Sequence, residues 1–232
     1  MAIRRFLGVM EAEMGGISEW PEHIAWMGCH FSPETGEICG LPGFSLPGGM
    51  LVLEDKVPFF GGDIGTLCGQ MAGAVRALSC EALLLDFQKP VSDESAALAE
   101  ALVASLPCPV ILPPLLAKKL EGPVFLPPAP PDVSLGEYLA PWAGREIWLE
   151  VAMDGLTITL TESGASSLYH PHGQTKDQSH RDTKLHCHYQ TETAPHQIRF
   201  TLWRSREDVE DLIREAERLG VTGCVGLWQE LG

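Results

Sequence analysis

Short apolar runs alternate with amphipathic stretches along most of this chain. His23–Gly28 and Met50–Glu54 read as strands. Asp63–Ser79 then has helical periodicity, with Ile64, Leu67, Cys68, Met71, Ala74, Val75 and Leu78 on one face and Asp63 as the N-cap. Ala82–Phe87 is apolar at every position up to Asp86. A strand needs that pattern when helices cover both faces of a parallel sheet. Ser92–Leu106 is again helical. Val110–Leu112 and Val124–Leu126 are short strands that each run into Pro-Pro, which has no N–H to continue a ladder. Glu146–Ala152 is a further strand, and Leu156–Thr161 alternates after Asp154-Gly155. The last unit is the clearest. Ile198–Trp203 is a strand, Ser205 caps a helix that runs to Leu219, Gly220 stops it, and Gly223–Trp228 is a buried strand.

Strand–helix–strand units at this spacing imply right-handed parallel crossovers. Six to eight strands predict an α/β fold of the closed (β/α)8 TIM-barrel type, irregular or shortened, with an open doubly wound sheet as the alternative. Residues 1–232 are expected to form one domain. The exception is the polar, His-rich stretch from Ser163 to His196. It predicts a long loop over 163–184, then a strand at Leu185–Gln190 that pairs with Ile198–Trp203 as a β-hairpin spanning 185–203.

Charge narrows the partners. With 31 acidic and 16 basic residues the formal net charge is −15, which argues against nucleic acid or an anionic membrane as partner. No stretch reaches the 18 apolar residues of a membrane helix, and the N-terminus, with two arginines and a short apolar patch, is a poor signal peptide. Seven cysteines without regular spacing suit reduced thiols and a cytoplasmic location. No cofactor-binding motif is present, so no cofactor is expected.

In a β/α barrel the functional residues stand at the carboxyl ends of the strands. That rule selects His30, Glu54, Asp86, Gln88, Glu150, Trp228 and Gln229, with Asp55 and Glu230 beside them. Paired carboxylates from different strands can flank a glycosidic bond as acid and as nucleophile or base, which makes Asp86 with Glu150 or Glu54 a candidate pair. A separate possibility is a metal site. His186 and His188 alternate along one strand, with His170 and His172 in the neighbouring loop.

The segment Glu81–Gln88, EALLLDFQ, resembles the fourth-strand signature DGxDxDxE of chitinase-like glycoside hydrolases of family 18. Glu81 and Ala82 stand for its Asp-Gly, Leu84 for the first inner Asp, Asp86 for the second and Gln88 for the catalytic Glu. Val221–Leu231 is similar to the last strand of that family, whose terminal Trp floors the sugar subsite, a role that would fall to Trp228. The resemblance implies a barrel with a carbohydrate ligand at its mouth. In the family the Glu protonates the leaving oxygen while the Asp two residues earlier steadies the attacking acetamido group. A glutamine cannot donate that proton, so Gln88 implies loss of this mechanism. Leu84 removes the residue that tunes Asp86. The expectation is a glycosidase-like barrel that binds carbohydrate. The alternatives are a hydrolase using Asp86 with Glu150 or Glu54, and a metal-dependent enzyme using His186 and His188.

Overall fold

Parallel strands apolar on both faces need cover on both sides, and this chain supplies it by closing its sheet on itself. The computed structural model describes residues 2–57, 63–170 and 179–232. Its strands are β1 (Arg4–Val9), β2 (Ile24–Phe31), β3 (Ile38–Cys39), β4 (Met50–Glu54), β5 (Ala82–Asp86), β6 (Val110–Ile111), β7 (Val124–Leu126), β8 (Ile147–Glu150), β9 (Gly155–Thr161), β10 (Gly164–His170), β11 (His180–Asp182), β12 (Cys187–Ala194), β13 (Gln197–Trp203) and β14 (Gly223–Leu227). Its helices are α1 (Ile64–Leu78), α2 (Asp93–Ser105), α3 (Pro114–Ala117), α4 (Leu135–Leu139), α5 (Arg206–Arg218) and α6 (Trp228–Leu231).

Eight strands pair in the order β6-β5-β4-β2-β1-β14-β8-β7, every junction parallel. The last junction, between β6 and β7, rests on Leu112. Its N–H donates to Pro123 O at 2.9 Å, and its carbonyl accepts from Phe125 N–H at 2.8 Å. Pro113 and Pro114 follow at once and cannot donate, which is why this seam is so short. The ring is therefore a (β/α)8-type barrel, as the sequence predicts.

Alternation along the strands divides the core in two. Phe6, Ala25, Met50, Val52, Ala82, Leu84, Ile111, Phe125, Trp148 and Val225 fill the interior of the ring. The alternate residues, such as Leu51, Leu53, Leu83 and Leu85, pack outward against Leu67, Met71 and Val75 of α1, Leu98 and Leu102 of α2 and Val209, Leu212 and Ile213 of α5. Trp148 fits inside because β14 offers Gly223 opposite it, where a Cβ would lie 2.5 Å from the indole ring. Caps fix where the helices start. The Asp63 side chain accepts Thr66 N–H at 2.9 Å, and Ser205 and Asp208 form a reciprocal capping box on α5.

Two parts differ from the sequence expectation. The N-terminal stretch is a barrel strand, β1, so Ala82–Asp86 is the fourth strand of the ring, the position its resemblance requires. The described part of 163–184 is not a loop. It contributes β10 and β11 to a five-stranded antiparallel sheet of order β10-β9-β13-β12-β11, which contains the expected hairpin as β12 and β13. This sheet leaves the barrel after β8 and returns before α5 at adjacent points, since Gly155 pairs with Trp203. All seven cysteines are free thiols. Among the described residues no helix is long and apolar enough to cross a membrane.

Candidate functional site

The interior row of each strand continues upward to the mouth of the barrel, and three rows end in carboxylates. On β4 the row is Met50, Val52, Glu54; on β5 it is Ala82, Leu84, Asp86; on β8 it is Trp148, Glu150. Glu54 and Asp86 lie side by side in register. Glu54 is buried and pairs with the exposed Lys56 at 2.6 Å. Asp55, one residue further, accepts N–H donations from Gln88 at 3.0 Å and Lys89 at 2.9 Å, and so ties the β4 and β5 loops together.

Gln88 stands over Asp86. Its Nε2 donates to both carboxylate oxygens at 3.2 Å. Burial still raises the Asp86 carboxyl, and the charges of Glu54 and Asp55 add to that effect, while the Gln88 bond and Lys56 oppose it. Glu150 is pushed up further, to about 7, first by burial and then by the charges of Asp86, Glu230 and Asp154. Glu150 therefore feels the charge of Asp86.

Residues 154, 169, 204 and 230 also belong to this neighbourhood, although the sequence pattern marks none of them as a principal candidate. Glu230 on α6 is buried and accepts Met153 N–H at 2.9 Å. Asp154 is wholly buried and pairs with Arg204 at 3.0 Å; Arg204 also donates to Ala129 O at 2.5 Å. Asp154 Oδ2 and Arg204 Nε and Nη2 are buried without a hydrogen-bond partner. Tyr169 of β10 has its phenol pushed up to about 12, by burial and then by Asp154, Glu150 and Glu230. The only sequence signal for these four is their position near a strand end.

His30 reaches the mouth row through a bulge. Trp26 pairs with Leu51 and Cys29 with Leu53, so Met27 and Gly28 together oppose Val52. The extra residue inverts the alternation: Trp26 and then Cys29 and Phe31 pack outward, which turns His30 to the inner row beside Glu54. Gly40, at φ +72° just after β3, approaches β2 closely, since a Cβ there would lie 1.9 Å from Gly28 O, and its carbonyl accepts Trp26 Nε1–H at 2.6 Å. His30 Nδ1 lies 2.8 Å from Gly28 O. Trp228 is half-buried and packs on the outer core, because the interior row of β14 ends at Leu227, and Gln229 is exposed on α6.

The histidine pair does not form a ligand set. His186 precedes β12 in a left-handed turn at φ +48° and pairs with Glu215 of α5. His188 is on the strand, stacked on Trp203, with Ser179 Oγ at 3.1 Å and Asp208 Oδ2 at 3.4 Å. His170 bonds Thr157 at 2.9 Å, and His172 lies outside the described residues. Each of these described imidazoles thus faces its own partner, and no group of three potential ligands occurs among the described residues.

No family model matches this chain, nor does any curated protein. Solved structures do. The chain is similar to the spore cortex-lytic enzyme SleL of Bacillus cereus, with TM-score 0.63 at 8% identity over 100% of this chain and 72% of that one. It is similar to a GH18 chitinase of Cycas revoluta, a mutant carrying a glutamate-to-glutamine exchange in complex with (GlcNAc)4, with TM-score 0.59 at 13% identity over 97% and 94% of the two chains. A chitinase-like agglutinin of Robinia pseudoacacia gives TM-score 0.56 at 14% identity over 98% and 95%. The chain therefore has the fold of the family 18 chitinase barrels.

Proposed function

We propose that this protein is a chitinase-like barrel that binds a carbohydrate at the carboxyl end of its strands and does not cleave it by the family's acid mechanism. The observation that carries this is Gln88. By the resemblance of EALLLDFQ to the family signature it stands for the catalytic Glu, two residues beyond the end of the fourth barrel strand, and its amide caps Asp86. An amide holds a ligand by donating and accepting hydrogen bonds, and it has no acidic proton to give a leaving oxygen. Two structural neighbours agree with binding of this kind: the Cycas mutant holds (GlcNAc)4 with a glutamine in place of a glutamate, and the Robinia protein is described as an agglutinin. In this reading Asp86, Gln88, Glu150, Glu54 and His30 contact the ligand. Trp228 and Gln229 stand further out and contribute less.

Titration calorimetry with an N-acetylglucosamine tetramer tests the proposal. Saturable binding is expected, weakened about tenfold or more by Asp86→Ala, with no turnover of aryl-glycosides. Absence of binding to any sugar would sink it. A second reading has one observation in its favour: burial keeps Glu150 protonated toward neutral pH within the field of Asp86, as a general acid requires. Hydrolysis that disappears in both Glu150→Gln and Asp86→Asn would establish that reading instead.

A further inference from the structure

Closing the barrel removes its strand edges. Among the described residues the edges left free are therefore the two-residue β3 and the two ends of the five-stranded sheet, β10 and β11. Strand β11 is guarded, since it is three residues long and carries Arg181 and Asp182. Strand β10 has no such guard. Its seven residues, GASSLYH, contain no Lys, Arg, Asp, Glu or Pro, and they pair with β9 in unbroken register. Every second residue turns its N–H and C=O away from β9, and this row of donors and acceptors fits another extended strand.

A second observation lies on one face of the sheet. Leu156, Ile158 and Leu160 of β9 share it with Phe200 and Ile198 of β13, and none of the five is fully buried. Ala165, Ser167 and Tyr169 continue that face onto β10. Ala165 and Ser167 are small, and with Leu156, Ile158 and Tyr169 they line a groove of about 450 Å³, in which Asp132 is the one charged residue among the described lining. Four of the ten large apolar side chains that the described surface exposes, Leu160, Leu168, Tyr169 and Ile198, belong to β9, β10 and β13, so the exposure is concentrated rather than scattered.

We infer that β10 pairs with β10 of a second copy of this chain, antiparallel about a twofold axis at Ser167, and joins two five-stranded sheets into one of ten strands. Antiparallel pairing keeps each residue on its own face. Ala165 then meets Tyr169 of the other copy, and Gly164 meets His170, so a small residue faces an aromatic one at each end. The second tyrosine ring reaches over the groove beside Ala165, and on the opposite face Leu168 meets Ser166. The direction also suits the barrels. His170 lies beside Gly155, where the sheet leaves the barrel, so twofold pairing sends the two barrels to opposite ends, whereas parallel pairing would set them side by side. Charge favours the same edge. Each chain carries −15, so two copies repel, and β10 is a stretch that brings no acid of its own into the contact. The inference does not depend on what the mouth of the barrel binds.

Sedimentation velocity of the intact protein over about 1–200 µM is the test, and the expected result is a monomer–dimer equilibrium with a dissociation constant on the order of 1–100 µM, as a small interface gives. The dimer should tighten severalfold between about 0.05 M and 0.5 M NaCl, as repulsion between the two acidic chains is screened. Ser167→Glu sets two like charges directly opposite each other and should weaken the dimer about tenfold or more. Val103→Glu, at an exposed position of α2, should leave it unchanged. In the parent protein the amides of β10 should exchange more slowly at high than at low concentration, a readout that does not depend on any variant folding. A monomer throughout the range overturns the inference and leaves the edge to a strand from a different protein. A dimer as tight in Ser167→Glu as in the parent, or one that leaves exchange in β10 unchanged, overturns it in favour of another contact surface.

Discussion

Glu150 bears the sharpest conflict between burial and charge at the barrel mouth. In the unfolded chain its carboxyl ionises near the ordinary value of 4.5, while in the folded protein it keeps its proton to about 7. Between those values the native state binds more protons than the unfolded state. Stability therefore falls as pH rises through that window and is flat above it, as far as this group is concerned. Glu150→Gln removes the ionisation and keeps the shape. It is expected to raise stability by roughly 1–3 kcal/mol near pH 8 and to change it little near pH 4, a difference that thermal melts of the two proteins will register. A variant no more stable than the parent at the higher pH would mean that Glu150 is solvated in the native state. Asp86 is shifted in the same direction, so part of the parent's pH dependence should persist in this variant.

The elements most legible in the sequence are those whose ends carry a chemical signal. Helices α1 and α5 announce their caps, Asp63 and Ser205, and their buried faces. Strand β1 escapes notice because Arg4 breaks its alternation. Its guanidinium lies 4.7 Å from the Trp148 ring centroid and its Nη1 donates to Glu81 at 2.5 Å, a pairing invisible before the ring closes. Strand β10 escapes notice because it forms an edge whose residues are almost all exposed, so no apolar period marks it. The sheet to which it belongs is clasped to α5 by Arg181 of β11, which pairs with Asp208 at 2.8 Å, Asp211 at 2.6 Å and Glu207 at 3.2 Å. Asp208 is fully buried, so removing Arg181 leaves its carboxylate with Ser205 and His188 alone as partners. Arg181→Ala is expected to cost about 2–3 kcal/mol in urea unfolding and to speed amide exchange in β11 and β12 while leaving β4 and β5 protected. Uniform loss of protection would show instead that sheet and barrel unfold as one unit.

At the scale of the whole molecule, the fold is readable because parallel strands buried on both faces leave few architectures, and the carboxylates Glu54, Asp86 and Glu150 are readable because they end such strands. Asp154, Tyr169 and Arg204 are not, since only closure of the ring and return of the five-stranded sheet bring them beside Glu230, which the strand-end rule does mark. The same acidic excess that shapes the mouth acts on the entire protein. With 31 acidic and 16 basic residues, long-range repulsion opposes the compact state. Two ion pairs that resist it are solvent-exposed: Arg5–Glu210 and Arg199–Glu192 each leave both side chains more than a third exposed, and such pairs contribute about 0–1 kcal/mol apiece. Raising NaCl from about 0.01 M to about 1 M shortens the screening length from ~30 Å to ~3 Å, which weakens the exposed pairs but removes nearly all of the summed repulsion. The buried Arg204–Asp154 pair is little affected in either condition. Salt therefore relieves more repulsion than it costs in pairing, and Tm is expected to rise with salt by about 2–6 °C, corresponding to roughly 1–2 kcal/mol for a chain of this length. A Tm that falls as NaCl is added would mean that local pairing outweighs the net charge, and that the acids are arranged more favourably than their number suggests.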